Sequence, residues 1–327
     1  MSRLKQILCA LSAAATSLIA VTAFAQADGF PNKQITIVVP FPPGGTADQL
    51  ARGVGGKMAE NLKVPVIIDN KPGGGAQIGA NAVKQAPADG YTIFIGDIGA
   101  LALNPSLYPK LSYDPLRDFM PLARLTLAPM LLLVTASSPL NNMADLVKAA
   151  KTKAEGLSIA SQGNGTGGHL IAEMLRTQTQ GKLNHVPYRG SAPALQDLMG
   201  GQVEVFFDPI FTAGPYVKDG KLKALAVGTE QRSAQFPQVP TLKELGYDNI
   251  NLVPWFGMVV KAGTPEATVK RLSDEVIKAL RAPEVAKRFT DLGLEVAPQP
   301  TDEFRAFMQA EAQRWGKVIK AAGIKLE

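Results

Sequence analysis

Two glycine-rich turns constrain this chain more than any other feature. Pro42-Pro43-Gly44-Gly45-Thr46-Ala47-Asp48 follows the apolar run Ile35–Val39. Ser161-Gln162-Gly163-Asn164-Gly165-Thr166-Gly167-Gly168-His169 follows Leu157–Ala160. Each turn opens a segment of helical periodicity. A strand, a glycine turn and a helix, in that order, aim several backbone N–H groups at one spot, at the positive end of a helix dipole. Two such spots, far apart in the chain, point to one anion held between two lobes. Neither turn contains Lys or Arg, so amides and hydroxyls would read the anion.

The N-terminal segment indicates the compartment. Arg3 and Lys5 precede an uncharged, mostly apolar stretch from Ile7 to Val21, and Ala23-Phe24-Ala25 is a small-x-small cleavage signature. Residues 1–25 therefore read as a secretory signal peptide, with Gln26 as the first mature residue and the periplasm as the expected location. A membrane anchor is the other reading; the stretch is short for a span. Cys9, the one cysteine, lies inside the signal, so no thiol or disulfide remains in the mature chain. Its stability must come from its core. Removing 25 of 327 residues leaves 302, enough for two domains. Arg3 and Lys5 leave with the signal, so the balance becomes 32 Lys+Arg against 28 Asp+Glu, or +4. There is no dense basic block and aromatic residues are sparse, which argues against nucleic-acid binding. No later run is long and apolar enough to cross a membrane; Leu125–Ala136 comes nearest.

Strands then alternate with helices. Ile35–Val39, Val64–Ile68 and Tyr91–Ile95 read as strands, with a helix over Ala47–Leu62 between the first two. Thr46 and Gln49 have capping-box spacing. This β-α-β-α-β pattern predicts a parallel sheet covered by helices. It restarts with Leu131–Thr135, Leu157–Ala160, Asn184–Tyr188, Val203–Phe207 and Leu222–Val227. Ser191 is placed to cap the helix that ends at Gly200-Gly201. Three helices close the chain, starting at Thr264-Pro265, at Pro283 and over Thr301–Lys320. Such a tail is expected to pack on the first sheet. The expected fold is α/β: lobe one from residues 26–127 and 255–327, lobe two from 128–254, joined by two crossings near Leu127 and Trp255. Two crossings make a hinge that permits closure on a ligand.

Over essentially the whole mature chain the sequence resembles the periplasmic solute-binding proteins of tripartite tricarboxylate transporters, the Bug family. The resemblance rests on Pro43 to Asp48, Asn70 to Gly79, Ala86 to Thr92, Gly163 to Leu170, His185 to Ala194, Leu222 to Val227 and Val239-Pro240-Thr241-Leu242, in that order and spacing. Glu204 departs from it, since the family more often has Asp there. The resemblance implies a type II periplasmic binding protein, a two-lobed flytrap that holds a small carboxylate through amides, hydroxyls and ordered waters. It implies membrane transporter subunits as partners, and the chain is expected to work as a monomer without cofactor or metal. A sensing co-receptor that presents its loaded form to a membrane sensor kinase would need the same binding chemistry.

The candidate ligand-binding residues are Phe41, Pro43, Gly44, Gly45, Thr46, Gly99, Ala100, Asn164, Gly165, Thr166 and Asp208. Gly44 and Gly45 could instead serve only a tight turn, and Thr46 and Thr166 are first of all helix caps. Gly99 and Ala100 follow Asp97 at the carboxyl end of the third strand, where open parallel sheets bind ligands. Asp208 holds the equivalent place in lobe two; it could accept from a ligand donor or cap a turn. Asp48 reads as an orienting residue and His169 as a supporting one. Arg189 reads as a surface or hinge charge. Phe41, Phe207, Phe211, Trp255 and Phe256 would suit an aromatic carboxylate if they line the cleft, and would otherwise be core.

An enzyme finds little support. The two histidines, His169 and His185, lack metal-ligand spacing, and no serine sits in a Gly-x-Ser-x-Gly elbow. Gly163-x-Gly165-x-x-Gly168 meets the bare dinucleotide pattern, but export argues against a soluble dinucleotide cofactor.

Overall fold

A computed structural model describes residues 29–248, 250, 252–321 and 323–326, so the signal-peptide reading of residues 1–25 lies outside the described residues. The strands in chain order are β1 (Ile35–Val39), β2 (Val66–Asn70), β3 (Thr92–Asp97), β4 (Phe119–Leu127), β5 (Met130–Thr135), β6 (Leu157–Ser161), β7 (Leu183–Pro187), β8 (Val205–Pro209), β9 (Leu222–Val227), β10 (Trp255–Lys261) and β11 (Glu295–Gln299). The α-helices are α1 (Thr46–Leu62), α2 (Gln77–Gln85), α3 (Asn104–Leu107), α4 (Met143–Thr152), α5 (Gly167–Thr179), α6 (Ser191–Met199), α7 (Ile210–Lys218), α8 (Glu266–Arg281), α9 (Pro283–Asp291) and α10 (Thr301–Ala321).

The strands form two mixed sheets. One has the order β11-β4-β10-β3-β1-β2, the other β7-β6-β8-β5-β9. In the first, β1 pairs in parallel with both β2 and β3. In the second, β6 pairs in parallel with β7 and β8. Ile35, Ile37, Val38 and Val39 are all buried, as a central parallel strand covered on both faces requires. The edge strand β2 is only half-buried, and its Ile67 faces solvent.

Between β4 and β5 the chain passes from one sheet to the other, and between β9 and β10 it returns. The two passages are tied together, since Ala128 donates its N–H to the Pro254 carbonyl at 2.7 Å. Leu125–Ala136, the most apolar run after the signal, spans this first passage as the end of β4 and all of β5. No helix of the described residues is long and apolar enough to cross a membrane.

Several sequence readings need correction. The second strand begins at Val66, not Val64, and ends on Asp69-Asn70, because its register with β1 pairs Val39 with Asn70. The third strand likewise runs on to Asp97, and the eighth to Asp208-Pro209. Thr46 and Ser191 are not caps. Gly45 and Gly190 occupy those positions, without a side-chain cap bond, and Thr46 and Ser191 are the first helical residues. The capping box is absent: the Gln49 side chain donates to the Gly44 carbonyl at 3.0 Å instead. Thr166 does cap its helix, accepting from His169 N–H.

The tail helices pack on the first sheet. Val269, Leu272, Val276 and Leu280 bury one face of α8, and Phe304, Met308, Trp315 and Ile319 one face of α10. Gly257 lets α10 approach, because a Cβ there would overlap the Phe304 ring. Glu311 of α10 accepts from two buried indoles, Trp255 Nε1 at 3.0 Å and Trp315 Nε1 at 3.1 Å. This bond fixes Trp255 at the point where the chain re-enters the first sheet. Glu311→Leu orphans both donors, and each buried unpaired group costs about 1–3 kcal/mol, so the expected loss is about 2–6 kcal/mol in chemical denaturation. Glu311→Gln keeps one acceptor oxygen and should lose less. Equal, negligible losses in both variants would contradict this role.

Candidate functional site

Three helices begin at one inner cavity of about 40 Å³. Gly45, Thr46 and Ala47 bring the start of α1, which follows β1 of the first sheet. Thr166, Gly167 and Gly168 bring the start of α5, and Gly190 and Ser191 that of α6, both from the second sheet. First-turn N–H groups have no partner inside their own helix, so each start offers donors and a positive dipole end. Phe41, Met130, Pro209, Pro254 and Phe256 supply apolar wall, and Asp97 and Gln162 complete it. The wall contains no Lys or Arg.

Local bonding holds each turn in shape. Gly44 takes φ +89, which favours glycine, and gives its N–H to Asp48 Oδ2 at 3.0 Å. Asp48 also accepts from Arg52 Nε at 2.9 Å and Asn70 Nδ2 at 3.0 Å. Burial pushes its carboxyl upward, but the bonds from Arg52, Gly44 N–H and Asn70 together hold it below the usual range. Asn70 Nδ2 also reaches the Phe41 carbonyl. In the second turn the Thr166 hydroxyl donates to the Gly163 carbonyl at 2.8 Å, so its one proton is spent within the loop. Thr46 differs: its hydroxyl is buried beside the cavity and has no partner. The free hydroxyl donor is therefore that of Thr46.

Asp208 lies fully buried beneath the cavity and is bonded by Gln162 Nε2 at 2.9 Å, by Thr212 and by Ser191. It orients Gln162 and Ser191, which do face the cavity. His169 stacks on His185 with ring centroids 4.2 Å apart, and His185 Nε2 lies 2.6 Å from Ser161 Oγ. Burial, with the neighbouring His169, drives His185 down to about 3, and burial lowers His169 as well. Both rings are neutral supports of the second turn. Among the described residues no group of three or more His, Cys, Asp or Glu could hold a metal ion.

A larger outer cleft of about 340 Å³ shares Phe41, Gln162 and Thr166 with the inner cavity. Pro72 to Gln77, Tyr108, Asn164, Tyr188 and the exposed Arg189 line it. Loops of the two sheets meet there. A Cβ at Gly99 would overlap the Gly165 carbonyl, and one at Gly75 would lie 3.0 Å from the Asn164 carbonyl.

Of the residues singled out from sequence, Phe41, Gly45, Thr46 and Thr166 share the inner wall, and Asn164 lines the outer cleft. Pro43 and Gly44 are exposed to solvent and line neither the cavity nor the cleft. Gly99 and Gly165 lie at the contact between the loops, while Ala100 is buried and gives its N–H to Asp97 Oδ1 at 3.0 Å. Of the five aromatic candidates, Phe41 and Phe256 line the cavity, while Phe207, Phe211 and Trp255 are core. Sequence reasoning passed over Asp97, Gln162 and the start of α6. Gly190-Ser191 after β7 is a third strand, glycine and helix signal, and it was legible as such.

The family model described as "Tripartite tricarboxylate transporter family receptor" matches residues 50–324. The UPF0065 protein in the tcbD-tcbE intergenic region of Pseudomonas sp. (strain P51) is 38% identical over 293 residues, covering 89% of this chain and 87% of that one. Protein BugT of Bordetella pertussis is 32% identical over 308 residues, 94% of each chain. Among solved structures, R. palustris Rpa4515 with adipate superposes with a TM-score of 0.87 at 35% identity, over 91% of this chain and 100% of that one. MatC from Rhodopseudomonas palustris with bound malate gives 0.84 at 34% identity, over 89% and 100%.

Burial pushes both Asp97 and Asp208 up to about 6, against the hydrogen bonds each accepts. The folded protein then holds protons that an unfolded Asp, at 3.8, has already lost. Their contribution to stability is complete below the unfolded value and declines as pH rises from about 4 to about 6. Asp208→Asn removes one of these two sources. Thermal unfolding at pH 4 and pH 7 should show a smaller alkaline-side loss in the variant than in the wild type. An unchanged difference between the two pH values would contradict the assignment.

Proposed function

The chain belongs to the tripartite tricarboxylate transporter receptor family of Bug-type periplasmic binding proteins, and from that premise we propose that it captures a small carboxylate between two lobes and delivers it to membrane transporter subunits. The lobes are residues 26–127 with 255–327, and residues 128–254. The ligand carboxylate sits in the inner cavity and the rest of the molecule extends into the outer cleft. One observation carries this reading: three helix starts, from both sheets, converge on a cavity with no basic side chain in its wall. The adipate-bound and malate-bound relatives support the carboxylate class. In this reading the chain works as a monomer.

The energetics are adequate. A hydrogen bond to a charged group contributes roughly 1.5–3 kcal/mol net, so four or five suffice for about −8 kcal/mol after the costs of ordering and closure. That corresponds to micromolar binding. Closure follows from the two passages at Ala128 and Pro254, which let one lobe rotate on the other while staying bonded.

Gly45 has φ −75, and a Cβ there would meet only the Pro42 carbonyl at 3.8 Å. Gly45→Val should therefore fold normally while filling the cavity, and calorimetry with succinate, malate and adipate should find binding abolished. Thr46→Val removes a free donor and should weaken binding by about 1–3 kcal/mol, about ten- to a hundredfold. Arg189→Ala and Arg52→Ala should change affinity only a few-fold. Loss of binding in either arginine variant, with Gly45→Val still binding, would mean that a salt bridge holds the anion.

A further inference from the structure

Two buried aspartates end equivalent strands, and they differ in one respect. Asp208, the penultimate residue of β8, is satisfied by three side chains, Gln162, Thr212 and Ser191. Asp97, the last residue of β3, accepts only backbone N–H groups, from Ala100 to Oδ1 at 3.0 Å, from Gly99 and from its own amide. Among the described residues no side chain donates to it. Asp97 is also the one ionisable side chain in the inner wall. The rest of that wall is apolar surface and donors: the starts of three helices and the Thr46 hydroxyl.

A bare carboxylate ligand would match the donors and be repelled by Asp97. A ligand that carries a donor beside its carboxylate would match both. Asp97 stands in the same small wall as the three helix starts, so a carboxylate held by those starts brings the substituent on its neighbouring carbon near Asp97. The geometry points to Asp97 as the specificity-determining residue that selects 2-hydroxy or 2-amino carboxylates over their unsubstituted counterparts. This rests on the carboxylate reading of the same cavity. A hydroxyl would donate a charge-assisted bond to Asp97, and an ammonium would add an ion pair. Burial raises the Asp97 carboxyl only to about 6, so it is an ionised acceptor at neutral pH. An analogue without the donor cannot make this bond and meets only the charge of Asp97, so the substituted acid binds more tightly.

Calorimetry at neutral pH with matched acids tests the assignment: lactate and propionate, malate and succinate, aspartate and succinate, mandelate and phenylacetate. In at least one pair the wild type should bind the substituted acid at least about tenfold more tightly, the value of one good hydrogen bond. Asp97→Asn keeps a carbonyl oxygen for the loop amides and turns the other acceptor into an NH2 donor. In that variant the preference should fall below about threefold or reverse, with unsubstituted acids binding as well as or better than before. Thermal unfolding of the variant confirms that it is folded. If the wild type binds both members of every pair alike, or if the variant keeps the wild-type ratio, the role of Asp97 is wrong and the cavity still binds carboxylates. If no acid of any pair binds the wild type, the carboxylate reading itself fails, and this inference with it.

Discussion

The structure depends on backbone donors that helix geometry leaves unpaired. A helix cannot satisfy its own first-turn N–H groups, and burying them without a partner is costly. Here three helix starts, those of α1, α5 and α6, surround one cavity. They can meet there because β1 in one sheet and β6 and β7 in the other each end at the carboxyl side of a parallel pairing, where the chain must turn back. Gly44, Gly163 and Gly190 all take positive φ, and those values make the turns tight enough to place a helix start at the strand end. In the proposed reading, an anion in this cavity would supply the acceptors that the fold omits. Its charge needs no Lys or Arg opposite it.

The two sheets meet around this cavity, and the Ala128 to Pro254 bond ties together the two passages of chain between them. Pro254 and Phe256 then face the cavity, while Trp255 between them points into the core and is fixed by Glu311. The tail helix α10 therefore helps set the position of cavity residues by holding Trp255 between them. The second histidine-bearing layer, His169 on His185 with Ser161, supports the opposite turn in the same indirect way.

Much of the architecture could be read from apolar runs, and the errors share one physical origin. Apolarity marks the middle of a parallel strand, where both faces are buried, but not its functional end. β2, β3, β6 and β8 continue past their apolar runs into Asn70, Asp97, Ser161 and Asp208. Those polar residues are the ones that orient turns or face the cavity, so the pattern ended where the site began. Capping chemistry failed for a similar reason. Thr46 and Ser191 have the composition of caps, yet a glycine before each takes the cap position, and the hydroxyls are released for other uses. The mixed character of both sheets, set by β4, β5, β9, β10 and β11, depends on long-range pairing that no local pattern encodes.

The central claim is that amides from both lobes hold one anion together. Amide resonances report it directly in a 15N-labelled sample titrated with a carboxylate. The account predicts that Thr46, Ala47, Gly167, Gly168 and Ser191 shift in concert and saturate with a single affinity. Shifts confined to one lobe, or centred on Arg189 with the helix starts unmoved, would contradict it.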